Sequence, residues 1–264
     1  MTHRTQIRIL VLFTVAWTAQ AAQLVAAPNN WAVHRQHGHL EFFSEYPIDT
    51  TAFAAQLAEV ADELHATFGL EQPRLNIQVI LFRSPQSYRA YLTSSVPDAA
   101  KRRAIFYQNR NVFQIYAYRH AELVTDLRHE YTHAFLHQSL PFVPLWIDEG
   151  IAEFMEERPA VRAGSSRVSG MRWRCRTGRQ PDLRSLEKLP SASSMSSSDY
   201  RDSWAWVHYL VNESPETLQV FKRYLQAISA GEAPGAFSEF ADQYDAQVTK
   251  QLGSYFRRFR ISLR

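Results

Sequence analysis

The sequence predicts an α+β fold in one domain, and three observations carry that prediction. The chain has 264 residues, enough for one or two domains, and 45% hydrophobic and 13% aromatic residues supply one well-buried core. Short segments with two-residue alternation or β-branched runs fill the first half. From Ala121 the apolar period switches to 3.6 and stays helical towards the C-terminus.

The first 27 residues stand apart. His3, Arg4 and Arg8 precede an apolar run from Ile9 to Trp17, then small residues with an A-x-A site at Ala19-Gln20-Ala21 and a second possible site after Val25-Ala26-Ala27. That layout is an export signal, so residues 1–27 are expected to be removed and the mature domain to span 28–264. A secreted or periplasmic location follows, with membrane attachment only if the segment stays uncleaved. Cys175 is the single cysteine, so the fold is expected to be held by its core and a metal, without internal disulfides. A net charge of +3 is too small and too diffuse to announce a nucleic-acid binder.

The elements follow in order. His39 to Tyr46 alternates and predicts a strand. Asp49 caps a helix whose Phe53, Leu57, Val60, Ala61, Leu64 and Phe68 form one stripe, and Gly69 stops it. Leu75 to Phe82 is a buried strand, and Ser84-Pro85 opens a short helix. Ala104 to Gln108 and Val112 to Tyr118 form a hairpin around Asn109-Arg110-Asn111. Leu123, Val124, Leu127, Tyr131, Ala134 and Phe135 stripe a helix that ends at Pro141 and Pro144. A second helix runs from Leu145 to Glu157. Arg158 to Pro181 carries seven arginines and no acid and is expected to be a solvated loop; Ser191 to Ser198 is expected to be mobile. Helices are predicted over Tyr200 to Asn212, Pro215 to Ser229, and about Gln243 to Arg260.

Chemistry concentrates in His129-Glu130-Tyr131-Thr132-His133, an H-E-x-x-H sequence. Chance produces that pattern about 0.02 times in a chain with ten histidines. Residues four apart share a helix face, so both imidazoles can reach one ion. Glu130, turned by about 100°, sits beside that ion and suits a general base. His137 lies a further turn along, too far to share the ion with both rings. Leu136 and Ser139 occupy the places where a metzincin has its glycine and third histidine, so that pattern fails. Downstream, Trp146-Ile147-Asp148-Glu149-Gly150-Ile151-Ala152-Glu153 offers carboxylates on the next helix.

These two segments together resemble the gluzincins of the peptidase MA-like superfamily. The resemblance implies a zincin-like catalytic domain with a mixed sheet, two active-site helices and a helical C-terminal part, extending from about His39 to the C-terminus. It implies a Zn2+ site of His129, His133 and Glu149, with Glu153 orienting a ligating histidine, and Gly150 letting the two active-site helices approach. Val112 to Tyr118 would be the edge strand receiving an extended peptide. Tyr200 is the first candidate donor to the developing oxyanion and His208 the second. The function implied is hydrolysis of peptide bonds in a peptide or protein substrate. Two alternatives stand beside it: a catalytically silent envelope protein keeping the fold for binding or assembly, and nucleic-acid binding through Arg162 to Arg179, which only Trp173 supports among aromatics.

Overall fold

A computed structural model describes residues 31–93, 102–162 and 164–259; the expected export signal at 1–27 lies outside them. Among the described residues no helix is long and apolar enough to cross a membrane. The architecture is α+β, with one five-stranded mixed sheet and helices on both faces.

Strands β1 (Val33–His37) and β2 (Leu40–Ser44) form an antiparallel hairpin whose turn places Gly38 at φ 57°, a conformation that suits a residue without a side chain. Helix α1 (Thr50–Phe68) then crosses to β3 (Ile77–Phe82), which pairs parallel to β2. Helix α2 (Pro85–Leu92) leads to the hairpin β4 (Ala104–Asn109) and β5 (Val112–Tyr118), with Arg110 at φ 52° in its turn. Strand β5 inserts parallel to β3 and antiparallel to β4, so the order across the sheet is β1-β2-β3-β5-β4. Strand β5 is therefore interior, and the edge beside it is β4, which corrects the expectation that Val112 to Tyr118 forms the edge.

Helices α1 and α3 (Leu123–Ser139) cover one face of the sheet. On the other, Ile80, Phe82 and Tyr116 pack with Tyr88 and Leu92 of α2. The main core runs on from the sheet through α4 (Leu145–Met155) into the C-terminal helices as one cluster. Buried Arg128 ties α3 to its neighbours: Nε donates to Met155 O at the end of α4 (2.8 Å), and Nη1 to Gln56 O of α1 (3.3 Å). Burying a guanidinium requires such partners, and they fix the angle between these helices.

The arginine-rich segment is not a loop. It forms α5 (Pro159–Arg162) and α6 (Ser166–Arg176), with Val168, Met171 and Cys175 buried at helical spacing. Its charges find carboxylates far away in sequence: Arg162 pairs with Glu63 of α1, and Arg174 with Asp202 of α8 (Ser197–Asn212). Composition within the segment showed no acids because the partners lie outside it. Helix α7 (Leu183–Leu186) and a 3-10 turn at Ala192–Ser194 follow, and α8 starts at Ser197 because Ser196 and Asp199 form a capping box. Helix α9 spans Pro215–Ser229 as expected. The last predicted helix is instead two, α10 (Phe237–Tyr244) and α11 (Leu252–Arg258), each presenting a separate aromatic face to the core.

Candidate metal centre

Helix α3 turns Leu127, Tyr131, Ala134 and Phe135 into the core and leaves His129, Glu130 and His133 on the face towards α4 and β4. Helix α4 begins after Pro144, and burial of Trp146, Ile147 and Ile151 fixes its rotation so that Glu149 meets the two rings.

The three side chains converge. His129 Nε2 and His133 Nε2 lie 3.1 Å apart, and Glu149 Oε2 is 3.6 Å from each. A triangle with those sides has a circumradius of about 2.0 Å, which is the length of a zinc–nitrogen or zinc–oxygen bond. Glu149 Oε2 is buried and accepts no hydrogen bond. Each ring turns its other nitrogen to a carboxylate: His129 Nδ1 to Glu156 Oε1 (2.9 Å) and His133 Nδ1 to Asp148 Oδ1 (2.8 Å). With Nδ1 protonated towards those acceptors, both Nε2 lone pairs and the free Glu149 oxygen point into one space. Three buried acceptors facing each other call for a positive charge between them. The residues present fit a divalent cation.

Without a cation the same cluster of negative charge favours protons on the rings, and a metal would take the place of those protons. Burial opposes a charge on His129, yet contact with Glu149 and Glu156 and the charge of Glu130 outweigh it and hold its pKa well above 6.5. His133 is raised against burial in the same way by Asp148. Asp148 is itself buried, and the His133 charge with hydrogen bonds from His133 and His137 keeps it well below the usual carboxylate range.

Glu153 does not hydrogen-bond to either histidine ring; it pairs with Arg167 (2.8 Å), whose other guanidinium nitrogen holds Glu156 Oε2 (2.5 Å). The carboxylate that orients His129 is Glu156, seven residues and two turns after Glu149 on the same side of α4, and the one that orients His133 is Asp148. His129, Glu153 and Glu156 also lie close enough to hold an ion, but Arg167 already spans both carboxylates.

A cavity of about 630 Å³ opens on the centre, lined by His129, Glu130, Arg102, Met195 and Tyr200 among others. Glu130 is 7% exposed, and one of its oxygens accepts the backbone N–H of Phe106 in β4 at 2.6 Å. That bond leaves the second oxygen for chemistry and shows that Phe106 turns its amide away from β5. By alternation, Ala104 and Gln108 turn theirs the same way, so the outer backbone groups of β4 face away from the sheet, with the Phe106 amide taken by Glu130. Tyr200 stands in the cavity wall and accepts a hydrogen bond from Arg102 at 3.4 Å. Burial and the Glu149 charge raise its pKa, so its hydroxyl keeps its proton.

His208 is not in this wall. It is 1% exposed, caged by Trp204, Phe154, Phe256 and Phe259, and receives the Tyr255 hydroxyl on Nδ1 at 2.8 Å. Burial, with the charge of Arg162, pushes its pKa down to about 3, so it is a neutral core histidine and has no access to an oxyanion. Gly150 also serves a different contact. A Cβ there would lie 2.7 Å from Ser203 O and 2.9 Å from Val207 Cγ2, so the close approach is between α4 and α8, not between α3 and α4. Cys175 is buried, which raises its thiol pKa and leaves it inert.

No protein-family model matches the chain, and no curated protein matches it either. The site therefore stands on its own geometry. Sequence reasoning did not single out Asp148 as a partner, nor Glu156, Arg167 or Arg102. The spacing of Glu149 and Glu156, and the basic run Lys101-Arg102-Arg103 just before a strand, are the signals that could have found them.

Proposed function

We propose that the protein is a zinc-dependent peptidase of the gluzincin type, with His129, His133 and Glu149 as ligands and Glu130 as general base. The observation that carries this reading is the convergence of two Nε2 atoms and an unpartnered carboxylate oxygen on one point, with Glu130 on the adjoining cavity wall. Zinc supplies a Lewis acid that makes water acidic near neutral pH and polarises a carbonyl. Glu130, steadied by the Phe106 amide, takes the proton of the attacking water and passes it to the leaving nitrogen. Tyr200, whose oxygen already accepts from Arg102, has its own proton free to donate to the oxygen that becomes negative. An extended peptide would lie along β4, where the outward backbone groups other than the Phe106 amide can bond its main chain. The signal-like N-terminus and the single buried cysteine fit a secreted or periplasmic hydrolase.

Metal analysis and one substitution test this. The purified protein should carry about one zinc per chain, and His129→Ala should lose it. Glu130→Gln can still accept the Phe106 amide, so it should keep the zinc while peptide cleavage falls by about 10²-fold or more. A chain without stoichiometric zinc, or cleavage indifferent to Glu130→Gln, would remove the proposal. Zinc without any turnover would favour a binding or assembly role on the same fold.

A further inference from the structure

The charges lining the cavity do not all find partners. Asp126 is paired with Arg103 and His120, Glu156 with Arg167 and His129, and Glu153 with Arg167. Arg103 is spent on Glu122 and Asp126. Arg102 differs: among the described residues no carboxylate lies within ion-pair distance of it, and its one side-chain contact is a neutral phenol, Tyr200, at 3.4 Å. A guanidinium has five N–H donors in a planar fork, so one bond to Tyr200 leaves the fork free while anchoring it to the wall that also presents Glu130 and His129. It sits close enough to the centre to feel the charges of Glu130 and Glu149.

We propose that Arg102 is a specificity-determining residue that receives a carboxylate of the substrate, so that the preferred peptides carry an anionic group next to the scissile bond. A planar carboxylate is the group a free guanidinium fork fits best, through two parallel hydrogen bonds. Tyr200 positions the fork. This inference rests on the peptidase reading above. It goes beyond that reading in naming the substrate class, because nothing in the metal centre requires an anionic substrate. The carboxylate has two sources, the C-terminus of a peptide or an aspartate or glutamate side chain.

Three peptide sets with one common core separate these sources: a free C-terminus with neutral side chains, an amidated C-terminus with glutamate beside the scissile bond, and an amidated neutral set. Cleavage, as kcat/KM, should favour the first or the second set over the third by about tenfold or more, and the favoured set names the source. Arg102→Gln should collapse that ratio, and Arg102→Glu should invert it towards peptides with lysine at the same place. Arg184→Gln removes an equal charge from an exposed side chain outside the cavity and should leave the ratio alone. Calorimetric binding to the Glu130→Gln protein gives the same comparison without turnover, so a failure of catalysis and a failure of recognition remain distinct. Equal cleavage and equal binding of all three sets would overturn the proposal, as would Arg102→Gln lowering all three by one factor. Thermal melting of the Arg102 variants at the wild-type temperature excludes misfolding as the cause.

Discussion

Gly150 is where α4 and α8 come closest, and replacing it with alanine puts a number on that approach. The added Cβ would meet Ser203 O at 2.7 Å, Ser203 C at 2.9 Å and Val207 Cγ2 at 2.9 Å, where ordinary contact begins at 3.4 Å. Two of these atoms are backbone, so rotamer changes cannot relieve them, and α8 must move by about 0.7 Å or more against a helix whose other face is buried. Overpacking of that kind costs about 3 kcal/mol, while alanine gains about 1 kcal/mol in helix propensity over glycine. The net loss is about 2 kcal/mol, or roughly 4–8 °C in Tm for a domain of this size. Urea unfolding of Gly150→Ala should show a lower midpoint at unchanged slope. Gly170→Ala is the control: it lies in α6, nothing stands within 4 Å of the added carbon, and the propensity gain should appear alone as about 0.5–1 kcal/mol of stabilisation. A Gly150→Ala protein as stable as wild type would refute the close packing of α4 on α8 at this position.

Two further outcomes follow from the centre and the core. Glu156→Gln keeps an acceptor for His129 Nδ1 but removes its charge and leaves Arg167 with one carboxylate, so chelator competition should show metal affinity reduced by about 10–100-fold; unchanged affinity would deny Glu156 its orienting part. His208 has a folded pKa of about 3 against an ordinary 6.5, so below pH 6.5 the unfolded chain takes up a proton that the folded chain refuses. Its contribution to stability is complete above pH 6.5 and is lost as pH falls towards 3, at roughly 1.4 kcal/mol per pH unit. His208→Phe should flatten that part of the acid profile relative to wild type, whatever it costs at neutral pH through the unpaired Tyr255 hydroxyl; parallel profiles would show that His208 is not the group refusing the proton.

Much of the frame is written in local chemistry. Asp49 and Gly69 bracket α1 because a capping carboxylate and a left-handed glycine act within a few residues, and the structure has both. Ser214-Pro215 starts α9 for the same reason. The pair His129 and His133 needs only the helical repeat to share a face. Strand β1 was missed because its side chains are mostly exposed and give no alternation, and α6 because its apolar residues are few among arginines. Tyr200 and His208, the first and second candidates from sequence, flank the same apolar stripe, and packing encloses His208 while leaving Tyr200 in a cavity wall.

The sequence by itself determined the helical histidine pair, the caps and periods of most elements, and the carboxylates available on α4, since each depends on neighbours within a turn or two. Only the tertiary structure decided which strand is the edge, which carboxylate meets which ring, and that Arg102, on the cavity wall, has no acid partner among the described residues. Those depend on contacts between residues up to about a hundred positions apart, such as Arg162 with Glu63 and Arg102 with Tyr200. Burial makes such partnerships costly to leave unmet, but no local pattern records them.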